Sequence, residues 1–172
     1  MIYVVDVETD GPIPGDYSLL WIGAVALDTL EFFTVKLKPL PFAAISREAL
    51  SATGLDRSDF EHNGEQPELA MNKFNSWIQK TNRKGRPILF SDNNQFDGMF
   101  LAWYFHHFLK HNPFGYSSRR IGDLYCGLRR DLFAQWKQLR KTAHTHNPVD
   151  DAQGNAEALR TILEEMKQNK ES

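Results

Sequence analysis

Cysteine is almost missing from these 172 residues: Cys126 stands alone. No intrachain disulfide can form, which fits a reducing compartment, and a single thiol of this kind reads first as a small buried apolar side chain. No run of about 18 apolar residues occurs, which excludes a membrane-spanning helix. Nor does the chain open on a basic segment followed by an apolar one. It enters a strand at once, so a cytoplasmic protein with no membrane partner is expected. Internal repeats, linkers and low-complexity tracts are absent too, and a single domain over residues 1–172 follows. A chain of this length hides roughly 70% of its surface on folding and needs neither disulfide nor metal to hold a core.

What is present is ordinary in bulk and uneven in distribution. Hydrophobic residues make up 41% and charged residues 24%, which places the chain among soluble globular proteins. The net charge of −2 hides a division. Residues 1–70 carry 4 Lys/Arg against 12 Asp/Glu, residues 71–145 carry 13 against 4, and residues 146–172 carry 3 against 6. The basic middle third hints at an anionic partner, although a solvated mixed-charge surface has the same composition.

Periodicity and punctuation give the elements. Residues 2–8, 19–27 and 32–40 read as strands, the last two joined by a hairpin at Asp28–Glu31. Residues 46–54 read as a short helix between a Ser cap and a terminal Gly. Pro67 opens a helix with Leu69, Phe74, Trp77 and Ile78 on one face, and it ends at the basic turn NRKGR. Residues 87–91 form a short apolar strand, and residues 95–111 an aromatic helix stopping before Pro113. A strand at 119–122 follows, with Asp123 placed to cap the next helix. The last helix starts near Pro148 with Ala152, Ala156, Leu159 and Leu163 on its apolar face. Three leading strands followed by helices interleaved with strands imply a mixed α/β sheet with helices packed on it.

Three polar stretches interrupt this apolar scheme. In YVVDVETDG, Asp6 and Glu8 lie on one face of a strand because side chains alternate. Alone this means little, since D-x-E occurs by chance in roughly half of chains this long. In SDNNQFDGMFL, Asp97 sits in the first turn of the aromatic helix, where a carboxylate also suits the helix dipole. In HTHNPVDDAQGNAEAL, Asp151 opens the last helix and His146 precedes it by five residues. His107 and His111 lie four apart in FHHFLKH, but no third ligand accompanies them, and packing or a solvent edge accounts for them.

Taken together, Asp6-Val7-Glu8-Thr9, Asn94-Gln95-Phe96-Asp97, and His146 with Asp151 resemble the DEDDh group of 3′–5′ exonucleases, the DnaQ-like or RNase T-like proteins. LLWIGAVAL also resembles that family's second strand, and the likeness spans residues 2–163. Trp21 and Asn93 depart from the family pattern, where Glu and His are common; neither position is a ligand. The resemblance implies an RNase H-like mixed five-stranded sheet flanked by helices. It implies a metal-dependent exonuclease that cuts single-stranded RNA or DNA, RNA mildly favoured, and releases nucleoside 5′-monophosphates. Asp6, Glu8, Asp97 and Asp151 are then the metal ligands and His146 the general base. Thr9 contacts the terminal nucleotide, and Phe96 and Trp21 are candidates for base stacking. A homodimer is admitted, since many relatives pair, but no apolar patch demands it.

The chemistry agrees with those residue types. Two carboxylates ~4 Å apart repel by about 4 kcal/mol at an effective dielectric near 20. Cations at the centre remove that repulsion, and all-oxygen ligands suit Mg²⁺ or Mn²⁺. Two ions can clamp the attacking and leaving oxygens of a phosphodiester. An imidazole with a pKa of ~6.5 near such cations stays neutral and basic. The basic stretch 119–141, above all Arg129 and Arg130, is expected to guide the phosphate backbone. Two other readings remain open: a binding module that no longer cuts, and an RNase H-like endonuclease.

Overall fold

The computed structural model describes residues 1–171, with side chains through Asn169. Strands β1 (Ile2–Thr9), β2 (Leu19–Ala26) and β3 (Glu31–Lys36) lead the chain, then helices α1 (Arg47–Thr53), α2 (Arg57–Asn63) and α3 (Pro67–Thr81). Strand β4 (Ile88–Ser91), helix α4 (Asn94–Tyr104), strand β5 (Ser118–Arg120), helix α5 (Ile121–Arg129) and helix α6 (Pro148–Glu171) complete it. The sheet runs β3-β2-β1-β4-β5; the first three strands are antiparallel, while β4 and β5 join β1 in parallel. Among the described residues no helix is long and apolar enough to cross a membrane.

The period of two in β1 sorts its side chains onto two cores. Tyr3, Val5 and Val7 enter one with Ala70, Phe74 and Ile78 of α3 and Phe100 and Leu101 of α4. Phe74 is its centre, stacked against Phe33, Trp77 and Phe105 with ring centroids 5.0, 6.0 and 5.6 Å away. On the opposite face Val4 joins Val25, Phe90, Ile121 and the Ala152–Ala156–Leu159 stripe of α6. Gly23 of β2, the cross-strand partner of Asp6, lets α6 settle on that face: a Cβ there would lie 2.2 Å from the Pro148 backbone. The small residues of α6 and the bare backbone of Gly23 therefore bring the first turn of α6 onto the sheet beside Asp6.

Several sequence expectations need correction. Helix α2 goes unsignalled because only Phe60 of its seven residues is buried, too few to show a period. Leu69 is 52% exposed; the buried stripe of α3 is Ala70, Met71, Phe74 and Ile78, one position further round. The aromatic helix is not continuous to 111. After Tyr104 it widens into a π turn, Phe105–Leu109, and stops at Lys110 in the left-handed region. Strand β3 ends at Lys36, and β5 ends at Arg120, where α5 begins. Asp123 does not cap α5; it lies inside the first turn and pairs with Arg120 at 3.2 Å. Cys126 is half-buried, its thiol directed at the Leu132 carbonyl at 3.3 Å.

Candidate active site

Three elements deliver the four acids. Asp6 and Glu8 stand on the α6 face of β1, and Glu8 is 7% exposed. Asp151, 1% exposed, comes from the first turn of α6. One carboxylate oxygen from each of these three lies within 4.8 Å of the others. Asp97, buried in the first turn of α4, reaches in from the side and accepts a hydrogen bond from Val7 N at 3.3 Å. Its charge acts directly on Asp6.

Most of this charge is unmet. Burial, then the neighbouring Asp97, Glu8 and Asp151, pushes Asp6 well above the carboxylate range. Burial, then Asp151 and Asp97, pushes Glu8 to about 8. Burial holds Asp97 at about 7 in spite of its bond from Val7. Asp151 is different. Its Oδ1 accepts from Arg140 Nη2 at 2.8 Å and Thr145 N at 3.2 Å and lies 2.8 Å from His144 Nδ1, while Oδ2 accepts from His146 N at 3.0 Å. Asp10, the next acid beyond the motif, is likewise answered: Arg57 Nε sits 3.0 Å away and Ser18 N donates to it. Among the described residues, Asp10 and Asp151 each have an arginine beside them, whereas half-buried Asp6 and buried Glu8 and Asp97 have none. That oxygen-only donor set, with raised carboxyls facing one another, fits a hard divalent cation.

His146 stands at the edge of the cluster, its Nδ1 3.9 Å from Glu8 Oε1 and its side chain 42% exposed. It occupies the left-handed region, φ 58°, which a non-glycine residue adopts only under constraint. The constraint is visible in the segment before it. Glu157 of α6 accepts from Lys141 N at 2.9 Å, Thr142 N at 2.8 Å and Thr142 Oγ1 at 3.0 Å. Burial alone would raise the Glu157 carboxyl, but these donors carry it below its ordinary value. Asp151 pins the far end of the same segment, so two acids of α6 fix residues 140–146.

Asp6, Glu8 and Asp97 form the floor of an open groove of about 630 Å³, with Asp151 behind them, and Thr9, Pro12, Ala49, Phe96 and Lys137 among its walls. Thr9 and Phe96 both line this groove; the Thr9 hydroxyl donates to Gly11 O at 2.8 Å, and Phe96 packs on Phe100. Trp21 does not reach the groove wall. It is the cross-strand neighbour of Glu8, but its ring turns to Phe60 and lies under Lys36, and its Nε1 donates to Thr34 Oγ1. Arg129 and Arg130 are not brought there either. Arg129 is held by Glu165 of α6 and by the Tyr125 ring, and Arg130 is the exposed left-handed residue ending α5. Lys137 is the basic residue of this stretch that lines the groove, paired with Asp92 at 2.7 Å.

Sequence reasoning missed His144 and Glu157, and it counted Lys137 and Arg140 only as members of the basic stretch 119–141, without their contacts to Asp92 and Asp151. His144 lay inside the motif stretch HTHNP, two residues from His146, and Glu157 carries no spacing signal. His107 behaves as expected, its ring stacked on Trp103 at 4.3 Å.

Against known proteins, the 3′-5′ DNA exonuclease Cap18 of Escherichia coli is 36% identical over 170 residues, spanning 92% of this chain and 89% of that protein. No family model matches. The nuclease domain of 3′hExo, a DEDDh family member bound to rAMP, superposes with a TM-score of 0.70 at 17% identity, over 95% of this chain and 92% of that one. The zinc-bound complex of E. coli exonuclease I with single-stranded DNA superposes with a TM-score of 0.72 at 17% identity, over 98% of this chain. This chain spans 41% of that exonuclease I chain. The shared fold is the RNase H-like mixed sheet anticipated from the sequence.

Proposed function

This chain belongs to the DEDDh 3′–5′ exonucleases, and on that premise we propose that it removes nucleotides from the 3′ end of single-stranded DNA. The observation that carries this reading is the convergence of Asp6, Glu8 and Asp151 within 4.8 Å, beside Asp97, with burial and repulsion from neighbouring acids raising Asp6, Glu8 and Asp97. A binding module has no use for such a cluster. The sequence leaned mildly to RNA. The relative at 36% identity is named a DNA exonuclease, and DNA is preferred here on that ground.

Asp6, Glu8, Asp97 and Asp151 would hold two divalent cations, Mg²⁺ or Mn²⁺. Bound there, the cations supply charge neutralisation for the scissile phosphate and acidify a water. His146 takes the proton of the attacking water at its ring nitrogen on the Glu8 side. The left-handed backbone at His146, fixed by Asp151 and Glu157, holds that ring over the groove. Thr9 and Phe96 bracket the terminal nucleotide, Phe96 by its ring face. Attack on the phosphorus releases a nucleoside 5′-monophosphate and leaves a new 3′-hydroxyl.

The test is degradation of DNA and RNA strands of matched sequence, linear strands labelled at the 5′ end and circular strands labelled internally, with Mg²⁺ or Mn²⁺. Expected are ladders that shorten from the 3′ end on linear DNA, no cutting of circles, and no products from Asp6→Ala. Cutting of circular strands would make the chain an endonuclease, and inertness on every substrate would make it a binding module.

A further inference from the structure

We propose that a second cleft, beside the active-site groove, binds the strand 5′ of the scissile phosphate, with Phe133 stacking on one of its bases. This rests on the exonuclease reading above and adds a route for the part of the substrate that is not cut. The cleft, about 360 Å³, lies between the end of β4 and the loop after α5. Asp92, Asn93 and Lys137 line it on one side and the catalytic groove on the other. These three residues are the common rim over which a strand passes from groove to cleft.

The lining suits a nucleotide chain. Arg120 and Lys137 flank the cleft with side chains 50% and 62% exposed. Their carboxylate partners are surface contacts: Lys137 to Asp92 at 2.7 Å and Arg120 to Asp123 at 3.2 Å. Pairs so exposed are weak, and both cations can exchange to phosphate. Gln135 adds a polar group on the same wall.

The loop itself presents apolar surface from a fixed backbone. Leu132 and Phe133 are 86% and 84% exposed. Single exposed apolar residues are unremarkable, but this adjacent pair sits on an anchored loop. Asp131 accepts from Phe133 N at 2.9 Å, the Cys126 thiol lies 3.3 Å from Leu132 O, and Trp136 is buried just beyond. Leu132 lines the cleft that Arg120 and Lys137 also line, and Phe133 follows it on the anchored loop as an exposed ring. Exposed aromatic surface combined with cations is the arrangement by which single strands are bound without regard to sequence. The cations select an anionic strand over an apolar peptide as the occupant.

Chain length tests it. Steady-state kinetics are measured with Mn²⁺ on a 5′-labelled thymidine dinucleotide and on a thymidine oligonucleotide of about 15 residues. Leu132→Ala/Phe133→Ala should raise KM for the long strand about tenfold and leave kcat/KM for the dinucleotide unchanged. Phe133→Trp should keep the wild-type KM. Both side chains are exposed, so an unchanged Tm verifies folding. A wild-type KM for the double variant on the long strand overturns the proposal, as does an equal loss on both lengths. Failure of the exonuclease reading looks different: the wild-type chain then leaves both substrates intact, and the proposed route falls with it.

Discussion

Tyr3, Val5 and Val7 on one face of β1, and Val4, Asp6 and Glu8 on the other, belong to the same eight residues, yet they live in opposite regimes. The first set closes a continuous aromatic and aliphatic core around Phe74. The second begins as core at Val4 and ends in carboxyls whose charge is unmet. One face supplies stability and the other spends part of it to keep acids together. A buried acid is tolerable elsewhere in this protein: Asp10 has Arg57, and Asp151 has Arg140. What marks Asp6, Glu8 and Asp97 is the lack, among the described residues, of any such arginine, a lack that the cations proposed above would fill.

Substitutions on the two faces should separate these regimes. Glu8→Gln should cut kcat/KM by about a thousandfold, ~4 kcal/mol of lost transition-state stabilisation. It should also raise the Tm of the metal-free protein, because Gln does not have to take up a proton to be buried there as the raised Glu8 carboxyl does. A lowered Tm would show that Glu8 is an ordinary structural acid. Phe74→Ala should do the reverse, destabilising the fold by about 3–5 kcal/mol in urea unfolding while the surviving folded fraction keeps its specific activity.

The pH dependence of stability sharpens the contrast. Glu8 is raised from 4.5 to about 8 and Asp97 from 3.8 to about 7, so between those limits the folded chain binds more protons than the unfolded one. Their contribution is fully present below pH 4 and is lost as pH rises through 7 to 8. The Tm in EDTA should therefore fall from pH 5.5 to 8.5, and Mn²⁺ should abolish the fall. A flat profile in EDTA would contradict the unmet charge. The smallest effect is expected at Glu157. Glu157→Ala should lower kcat about tenfold with little change in Mn²⁺ affinity, and should speed amide exchange in residues 141–146. Unchanged exchange there would remove Glu157 from the positioning of His146.

The sequence displayed the acids more readily than their surroundings. Period two put Asp6 and Glu8 on one face, and the Ala152–Ala156–Leu159 stripe placed α6 on the sheet, because both follow from local geometry. Arg140, His144 and Glu157 stayed hidden because they act through backbone and side-chain bonds across a loop, and loops have no period. The basic stretch was legible as a charge and not as a direction. Arg129 faces Glu165 of α6, while Lys137 eight residues on faces the groove, and only the turn between them decides which. Trp21 shows the same limit: its register beside Glu8 was fixed by the strand, but the pull of Phe60 and Lys36 on its ring was not.

Gly23 contributes no side chain to any bond, groove or core, yet the spacing of Asp6 and Asp151 depends on it. Because the backbone of Pro148 rests 2.2 Å from where a methyl would begin, one added carbon lifts the end of α6 and carries Asp151 away from Asp6. The enzyme can thus be silenced by a mutation that alters no acid, no base and no charge, at a position whose only duty is to stay empty.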